Sequence, residues 1–191
     1  MGKVEFKSGT MLYPLPVVMV SCGETINEYN IITVAWTGIL SSEPPMCYIS
    51  VRKSRYSHAI ISKTGCFVIN LTTERLAKVT DWCGVKSGRQ YNKFIETGLT
   101  PVKAPHLNAP MIAESPLCLE CKVVNVMELG SHDCFVANIV GVQADERYID
   151  RKTGEFNLEK ANLIAFSHGK YYNIGERLGF FGYSIEKKKK K

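Results

Sequence analysis

Residues 46–52, MCYISVR, alternate in polarity along a stretch whose residue types favour strands. The apolar side chains at positions 47, 49 and 51 would face one side of a sheet, and those at 46, 48, 50 and 52 would face the other. The segment KSRYSH follows at once at 53–58, where cations and hydroxyls replace the apolar residues. The pattern predicts a half-buried strand that ends in a cationic turn at the start of a helix.

Other segments rich in Val, Ile, Phe and Tyr predict further strands. They are residues 16–22, 30–40, 66–72, 117–129 and 133–143, with a late apolar run at 161–166 as a further candidate. The chain has 191 residues, a length typical of one domain. This number of strands in one domain, which we expect to span residues 1–186, points to a barrel or a sandwich.

Three helical segments are predicted between the strands, at residues 55–64, 74–82 and 89–97. Ser54 is a good N-cap for the first helix, and glycines at 65, 84 and 98 are stop signals for the three helices. No linker or internal repeat divides the chain. The sequence therefore predicts a mainly β fold, a β-barrel with helices inserted on one side.

The formal net charge of +6 is concentrated at the end of the chain, where Lys187 to Lys191 form an unbroken basic run and leave the rest nearly neutral. Such a run normally stays solvated, so we expect a disordered tail. Because the body has no basic and aromatic stripe, nucleic-acid binding is not expected. Residues 1–10 are too polar for a secretion signal, and no run reaches the ~20 apolar residues of a membrane span. We expect a cytoplasmic protein with no membrane partner.

The seven cysteines are expected to be reduced thiols that pack as small hydrophobic residues. Cys118 and Cys121 have the spacing of a dithiol or metal motif, but they fall within a predicted strand. Residues three apart on a strand point to opposite faces, so the two sulfurs should diverge. A redox motif would normally open a helix, and a zinc site would need a second pair. No metal site is predicted.

Several common catalytic signatures are absent. The chain contains no GxGxxG after a strand, no GxxxxGK[ST], no HExxH and no GxSxG. A Rossmann dinucleotide domain, a P-loop nucleotidase, a zinc peptidase and an α/β-hydrolase therefore lack their motifs. The four histidines are scattered along the chain, with no spacing that places two on one helical face.

The stretch SVRKSRYSH at 50–58 is the first candidate for chemistry. Free N–H groups at a helix start favour an anion, and arginine and serine side chains can add charge-assisted hydrogen bonds. A phosphate monoester is a natural ligand for this turn. The alternative is an exposed cationic loop in which Ser54 merely caps the helix, and the residues alone leave both interpretations open.

The second candidate is NIITVAWTG at 30–38, which leads into SSEPP at 41–45. Its asparagine and threonines lie among apolar neighbours beside Trp36, so the strand could offer main-chain groups and hydroxyls to a flat heterocycle that an aromatic ring covers. The alternative is a core strand in which Trp36 is buried for packing. The two candidate stretches support each other if they lie side by side.

Taken together, the motifs resemble the flavin reductase and flavoredoxin family. The resemblance covers residues 10 to 184 and is carried by YPLP at 13–16, NIITVAW at 30–36, SSEPP at 41–45, SVRKSRYS at 50–57, FVIN at 67–70 and GERLG at 175–179. It implies an FMN-binding split β-barrel that forms a homodimer and holds non-covalent FMN near the subunit interface.

The resemblance also implies roles for individual residues. The isoalloxazine ring would be lined by Asn30, Thr33, Val34, Ala35, Trp36 and Thr37. The ribityl chain and phosphate would be held by Ser50, Val51, Arg52, Tyr56 and Ser57. Lys93 matches a family lysine at the flavin site, and Phe166 is expected to pack on the cofactor. His132, in the GSHD segment at 130–133, would lie where a nicotinamide approaches the flavin.

The expected function is electron transfer from NAD(P)H through FMN to a flavin or protein acceptor, as in an NAD(P)H-dependent flavin oxidoreductase. One alternative is an electron carrier of the flavoredoxin type, which acts on a protein partner without turning over a small molecule. A second alternative, from another class, is a β-barrel binding module without flavin.

Overall fold

The structure is a computed structural model and describes residues 2–185, so the expected tail at 187–191 lies outside the described residues. The β-strands are β1 Leu15–Pro16, β2 Val18–Cys22, β3 Asn30–Val34, β4 Thr37–Ser42, β5 Pro45–Arg52, β6 Cys66–Leu71, β7 Pro101–Lys103, β8 Pro110–Ile112, β9 Leu117–Leu129, β10 His132–Ala144, β11 Ile164–Ser167 and β12 Lys170–Asn173. The α-helices are α1 Tyr56–Thr64, α2 Ala77–Val85, α3 Lys93–Thr97 and α4 Leu158–Ala161. Short 3₁₀ turns cover Glu74–Leu76, Glu146–Tyr148 and Tyr183–Ile185.

Seven antiparallel strands form the main sheet, in the order β3-β2-β6-β9-β10-β5-β4. The two edge strands, β3 and β4, follow each other in the chain with only Ala35 and Trp36 between them. The sheet must therefore curl until its edges meet, and the backbone N–H of Ser50 donates a 2.8 Å hydrogen bond to the carbonyl of Trp36 at this seam. The prediction of a mainly β barrel with inserted helices is confirmed.

The side chains of β5 point alternately to the inside and the outside of the barrel. Cys47, Ile49 and Val51 are almost completely buried, whereas Arg52 is exposed at the end of the strand. The buried side chains join a core cluster that includes Phe67 of β6. Burial of these apolar groups is the main force that closes the barrel.

Helices α2 and α3 cover the outer face of β2 and β3, whereas Ile61 of α1 packs into the barrel core. A second apolar cluster joins Met19 and Ile31 of these strands to Cys83 of α2 and Phe94 of α3. β2 is buried along its whole length because it packs against the barrel core on one face and the helices on the other. The helices therefore lie on one side of the barrel, at the edge where β3 meets β5.

Several predicted boundaries were wrong. The predicted strand 30–40 is interrupted at Ala35 and Trp36, because the chain crosses there from one edge of the sheet to the other. The predicted helix 89–97 contains an α-helix only from Lys93, where the side chain of Asn92 caps the first turn by accepting a hydrogen bond from Ile95 N. The late strand runs over Ile164–Ser167 rather than 161–166.

Two further helix signals also differ from the prediction. The N-cap of α1 is Arg55 rather than Ser54, and no side-chain cap hydrogen bond is formed there. The predicted helix 74–82 begins as a 3₁₀ turn and continues as α2 through Gly84 to Val85. Gly65 and Gly98 do end their helices, each with a left-handed backbone conformation that suits glycine.

All seven cysteines are buried and unpaired. Cys121 lies in the barrel core, where its sulfur is 3.5 Å from that of Cys47, whereas Cys118 packs in a separate cluster with Cys66. The prediction that the sulfurs of Cys118 and Cys121 diverge is confirmed. None of the helices found between residues 2 and 185 is both long and apolar enough to span a bilayer.

Candidate functional site

Two adjoining cavities open at the seam of the barrel, with volumes of about 510 and 280 Å³. Ile32, Arg52, Arg55 and Gly84 contribute to the walls of both. We name the larger one the cationic cavity and the smaller one the ring cavity, after the residues described below. Because they share walls, a single ligand can extend from one into the other.

The cationic cavity is lined by four positively charged side chains, those of Arg52, Arg55, Lys86 and Lys93. Among its described lining residues there is no carboxylate, and Ser54, Ser57 and Ser87 add hydroxyl groups. Cations and hydroxyls around a space next to the start of α1 favour a phosphate or another anion. This chemistry agrees with the interpretation of the 50–58 segment as an anion site.

A buried hydrogen bond connects the two candidate stretches inside this cavity. The Asn30 side-chain amide donates to the Ser57 hydroxyl at 2.7 Å. Gly88 packs directly against this pair and against Tyr56, so that a Cβ at position 88 would overlap Asn30 Oδ1 and lie 2.6 Å from Tyr56 Cδ1. The wall of the cavity is therefore fixed by contacts among β3, α1 and the loop after α2.

Lys93 is only 3% exposed, although it is the first residue of α3. Its Nζ donates a 2.6 Å hydrogen bond to the carbonyl oxygen of Cys83 at the end of α2. Burial lowers the pKa of Lys93 to about 8, because the charged ammonium loses its hydration there. An anion in the cavity would favour the charged ammonium and raise this pKa again.

Aromatic side chains surround the ring cavity. Trp36 and His132 lie on one side with their rings nearly parallel and their centroids 6.3 Å apart. Phe166 and Tyr171 form an edge-to-face pair with a centroid distance of 5.6 Å. These faces fit a flat heterocycle.

His132 is the first residue of β10, where it pairs with Arg52 on β5 and Leu129 on β9. Its Nδ1 lies 2.8 Å from the Ser131 hydroxyl. Partial burial, aided by the positive charge of Arg52, lowers the pKa of His132. The neutral imidazole is therefore favoured at the edge of the ring cavity.

Asp133 follows His132 but belongs to a separate ion-pair cluster. Its Oδ2 is 2.7 Å from His58 Nε2 and its Oδ1 is 3.4 Å from Lys53 Nζ. Although burial acts to raise the pKa of Asp133, its hydrogen bond to His58 and the ion pair with Lys53 outweigh this effect and lower the pKa. The cluster anchors α1 to β10 and so helps to position Ser57.

Almost all of the residues proposed from the sequence lie at the two cavities. The cationic cavity contains Asn30, Arg52, Tyr56, Ser57 and Lys93. The ring cavity contains Thr33, Val34, Ala35, Trp36, Ser50, Val51, His132 and Phe166, together with Arg52.

Four of the predicted residues have their side chains engaged elsewhere. The Thr33 hydroxyl donates a hydrogen bond to the carbonyl of Thr80, so it is not free for a ligand in the ring cavity. Thr37 lines neither cavity, and its hydroxyl donates a 2.7 Å hydrogen bond to the carbonyl of Tyr48. The side chains of Val34 and Val51 belong to the barrel core. Thr37 is therefore not brought to the site, whereas the two valines contribute to it mainly as part of its floor.

The sequence interpretation missed the loop after α2 and two residues at the mouth of the ring cavity. The loop supplies Lys86, Ser87 and Gly88 to the cationic cavity. A lysine and a serine between two glycines, in the segment GVKSG at 84–88, is a signal that could have identified it. Asp81 and Tyr171 also line the ring cavity, and no local pattern marks either residue.

The fold is a split β-barrel in which a cavity lined by aromatic side chains adjoins a cavity lined by cations. Among solved structures, the chain is similar to flavoredoxin of Desulfovibrio vulgaris (Miyazaki F), with a TM-score of 0.89 and 30% identity over 97% of this chain and 100% of that one. It is also similar to flavoredoxin of Methanosarcina acetivorans, with a TM-score of 0.87 and 26% identity over the same shares.

The sequence comparisons agree with the structural ones. Residues 10–175 match the model of the flavin reductase like domain, and the chain belongs to that family. An uncharacterised protein of Archaeoglobus fulgidus is 33% identical over 166 residues, which cover 87% of this chain and 92% of that protein. Membership of the family supports a flavin-related electron-transfer role.

Proposed function

We propose that this protein binds FMN non-covalently and transfers electrons from NAD(P)H through it to a second flavin or a protein acceptor. The observation that carries the proposal is the continuity of the cationic cavity and the ring cavity at Arg52. A phosphate at one end and a flat ring at the other are the two recognition features of FMN. Together the cavities fall within the ~300–1,000 Å³ range that is usual for cofactor sites.

At the phosphate end, Arg52, Arg55 and Lys86 supply positive charge, and Ser57 supplies a hydroxyl already oriented by Asn30. Each charge-assisted hydrogen bond contributes roughly 1.5–3 kcal/mol. A flavin without the phosphate cannot form these hydrogen bonds, so riboflavin should bind more weakly than FMN. Tyr56 lines the cationic cavity and Ser50 lines the ring cavity, and we assign both to the ribityl chain that would join the two ends.

At the ring end, Trp36 and Phe166 would pack against the flat ring, while Ala35 and Thr33 offer their backbone at the seam of the barrel. When bound, FMN supplies the acceptor for a hydride from the dihydronicotinamide. The protein orients the ring, excludes water from one side, and places the cation Arg52, which lines both cavities, near the charge that develops on it. His132, at the edge of the ring cavity, is the residue that we assign to the approach of the nicotinamide.

An electron carrier that acts on a protein partner is the second candidate. The flavoredoxins named above favour it, because this chain covers the whole length of both. Family membership argues against the third alternative, a barrel without flavin. The electron acceptor therefore distinguishes the two remaining candidates. A carrier would be reduced once and would stay reduced until its protein partner is added, whereas a reductase would reduce free flavin repeatedly.

We further propose that the protein is a cytoplasmic homodimer. The half of the β9–β10 hairpin next to its turn exposes apolar side chains on β9, namely Val124, Val126, Met127 and Leu129. A contiguous apolar patch of this kind is typical of a surface that another chain covers. Its β10 strand begins at His132, so a dimer through this hairpin would place the ring cavity close to the subunit interface.

The cofactor is tested first, by the absorbance spectrum of the purified protein and by chromatography of the compound that acid releases. FMN in about one copy per chain is the expected result, and a colourless protein that does not take up added FMN would contradict the proposal.

The donor and acceptor are tested next, under anaerobic conditions, with NADH and NADPH and with or without excess free FMN. Repeated turnover of free FMN supports the reductase, whereas a single stoichiometric reduction supports the carrier.

A further inference from the structure

Asp81 is the only carboxylate that lines either cavity within the described part of the chain. It lies on α2 and faces the ring cavity, where Arg52 and Arg55 are the other permanently charged side chains. A negative charge at this position opposes the binding of anions, which the rest of the site favours. The part of a ligand that lies beside Asp81 should therefore be a neutral or positively charged hydrogen-bond donor.

Tyr171 holds the carboxylate of Asp81 in place. The Tyr171 hydroxyl donates a 3.0 Å hydrogen bond to Asp81 Oδ1 and so joins β12 to α2 across the mouth of the ring cavity. Burial, reinforced by the adjacent negative charge of Asp81, raises the pKa of Tyr171 to about 12. The phenol therefore remains a neutral donor at physiological pH.

The second oxygen of Asp81 remains available as an acceptor. Between residues 2 and 185, no lysine, arginine or histidine lies within 4 Å of the Asp81 carboxylate, and no hydrogen bond to Oδ2 is formed. An ionised carboxylate accepts hydrogen bonds only, so the partner that it can take from a ligand is an N–H or O–H group.

We propose that Asp81, positioned by Tyr171, determines specificity at the mouth of the ring cavity by accepting an N–H from the carboxamide of the nicotinamide donor and rejecting a carboxylate in its place. This inference rests on the proposed function, because it concerns the donor of the same site. Trp36 and Phe166 are assigned to the flavin ring, and His132 would face the flat surface of the nicotinamide, which is alike in the amide and the acid, so none of the three can make this distinction.

The amide and the acid are almost equal in size but differ in hydrogen bonding and in charge. The amide offers an N–H to Asp81, whereas the acid is ionised at pH 7 and brings a second negative charge to the same place. A site that is built to accept a hydrogen bond discriminates strongly against an analogue that lacks the donor. The absence of one charge-assisted hydrogen bond corresponds to a preference of roughly ten- to hundred-fold.

The experiment compares the binding of NAD⁺ and nicotinic acid adenine dinucleotide, which differ only in this group. Each is titrated into the FMN-loaded protein at pH 7, and binding is followed by calorimetry and by the change in the flavin spectrum. The variants are Asp81→Asn and Tyr171→Phe. Glu96→Gln is the control, because Glu96 is exposed on α3, lines neither cavity and gives the same change in net charge.

The wild type and Glu96→Gln should prefer the amide dinucleotide by at least about ten-fold. Asp81→Asn should reduce the preference below about three-fold, mainly by improving the binding of the acid. Tyr171→Phe should give an intermediate preference, because the carboxylate remains but is no longer held.

Equal affinities in the wild type, or an unchanged preference in Asp81→Asn, would overturn the assignment of Asp81 and leave the nicotinamide donor in place. If the FMN-loaded wild type binds neither dinucleotide, the donor in the proposed function fails, and the role of Asp81 fails with it.

Discussion

The Asn30 side-chain amide and the Ser57 hydroxyl form a buried hydrogen bond of 2.7 Å that joins the first residue of β3 to the first turn of α1. Residues 27 positions apart are thereby fixed to each other at the wall of the cationic cavity. The bond leaves an oxygen lone pair and the hydroxyl proton of Ser57 for other partners. This hydrogen bond therefore fixes the position of α1, at the cationic cavity, relative to β3 at the seam of the barrel.

Ser57→Ala should destabilise the fold as well as the site. The substitution leaves the buried Asn30 amide without its acceptor, which costs roughly 1–3 kcal/mol in the free energy of unfolding. Urea denaturation measures this loss. Ser62→Ala, at an exposed position of the same helix, is the matched control and should leave the unfolding free energy almost unchanged. A loss no larger than that of the control would mean that the hydrogen bond does not form.

Arg52→Ala combined with Ser57→Ala should weaken the binding of FMN much more than that of riboflavin. Both side chains line the cationic cavity, and each charge-assisted partner of a phosphate contributes roughly 1.5–3 kcal/mol. The affinity for FMN should therefore fall by at least about ten-fold for each of the two side chains removed. Fluorescence titration with the two flavins checks this expectation. An equal reduction for riboflavin would contradict the assignment of the phosphate to this cavity.

Lys93 should make both stability and FMN affinity depend on pH around 8. Its pKa is lowered to about 8 by burial, whereas an unfolded lysine titrates near 10.4. Between these values the unfolded chain binds more protons than the folded one, so stability should rise with pH across this interval and the destabilisation should be complete below pH 8. Lys93→Met should remove this dependence, as measured by urea denaturation from pH 7 to 10.

The same lysine predicts proton uptake when FMN binds. A phosphate dianion near Lys93 favours the charged ammonium and raises its pKa, so the complex should take up a proton at pH 8–9 and the affinity should fall as the pH increases through this range. Calorimetry in two buffers with different ionisation enthalpies counts the protons. Uptake that persists in Lys93→Met would assign it to another group.

The sequence predicted those parts of the molecule in which a local pattern decides the outcome. The alternation of 46–52 became β5, and the two candidate stretches meet at the hydrogen bond between Asn30 and Ser57. Residues 89–92 were predicted as helix, but Arg89 donates a 3.0 Å hydrogen bond to the carbonyl of Ser54 and lies over the Tyr56 ring. These tertiary contacts outweigh the helical propensity of the segment.

The mouth of the ring cavity could not be predicted from local patterns. Asp81 and Tyr171 are 90 residues apart, and they meet only because β12 returns alongside β11 and reaches α2. Asp81 lies within an ordinary amphipathic helix, and Tyr171 lies in a strand that the apolar pattern did not indicate. Such a contact depends on the closed barrel as a whole.

Gly88→Ala should disrupt the cationic cavity without unfolding the barrel. An added Cβ would overlap Asn30 Oδ1 and approach Tyr56 within 2.6 Å, so the loop after α2 must move away from α1. We expect at least a ten-fold loss of FMN affinity, with an unfolding free energy lowered by roughly 1–3 kcal/mol. Gly9→Ala is the control, since the nearest atoms to its added Cβ are 3.9 Å away. Unaltered FMN affinity would show that the loop does not contribute to the site.

His132→Ala should slow reduction by the nicotinamide more than it lowers the flavin content. The imidazole lies parallel to Trp36 at the edge of the ring cavity and makes only an exposed hydrogen bond with Ser131, so its removal should leave the barrel intact. Stopped-flow reduction by NADH or NADPH should become at least several-fold slower. Reduction by dithionite, which needs no nicotinamide site, should keep its rate and is the internal control. Parallel losses in flavin content and in both rates would make His132 a structural residue and would require another group to guide the donor.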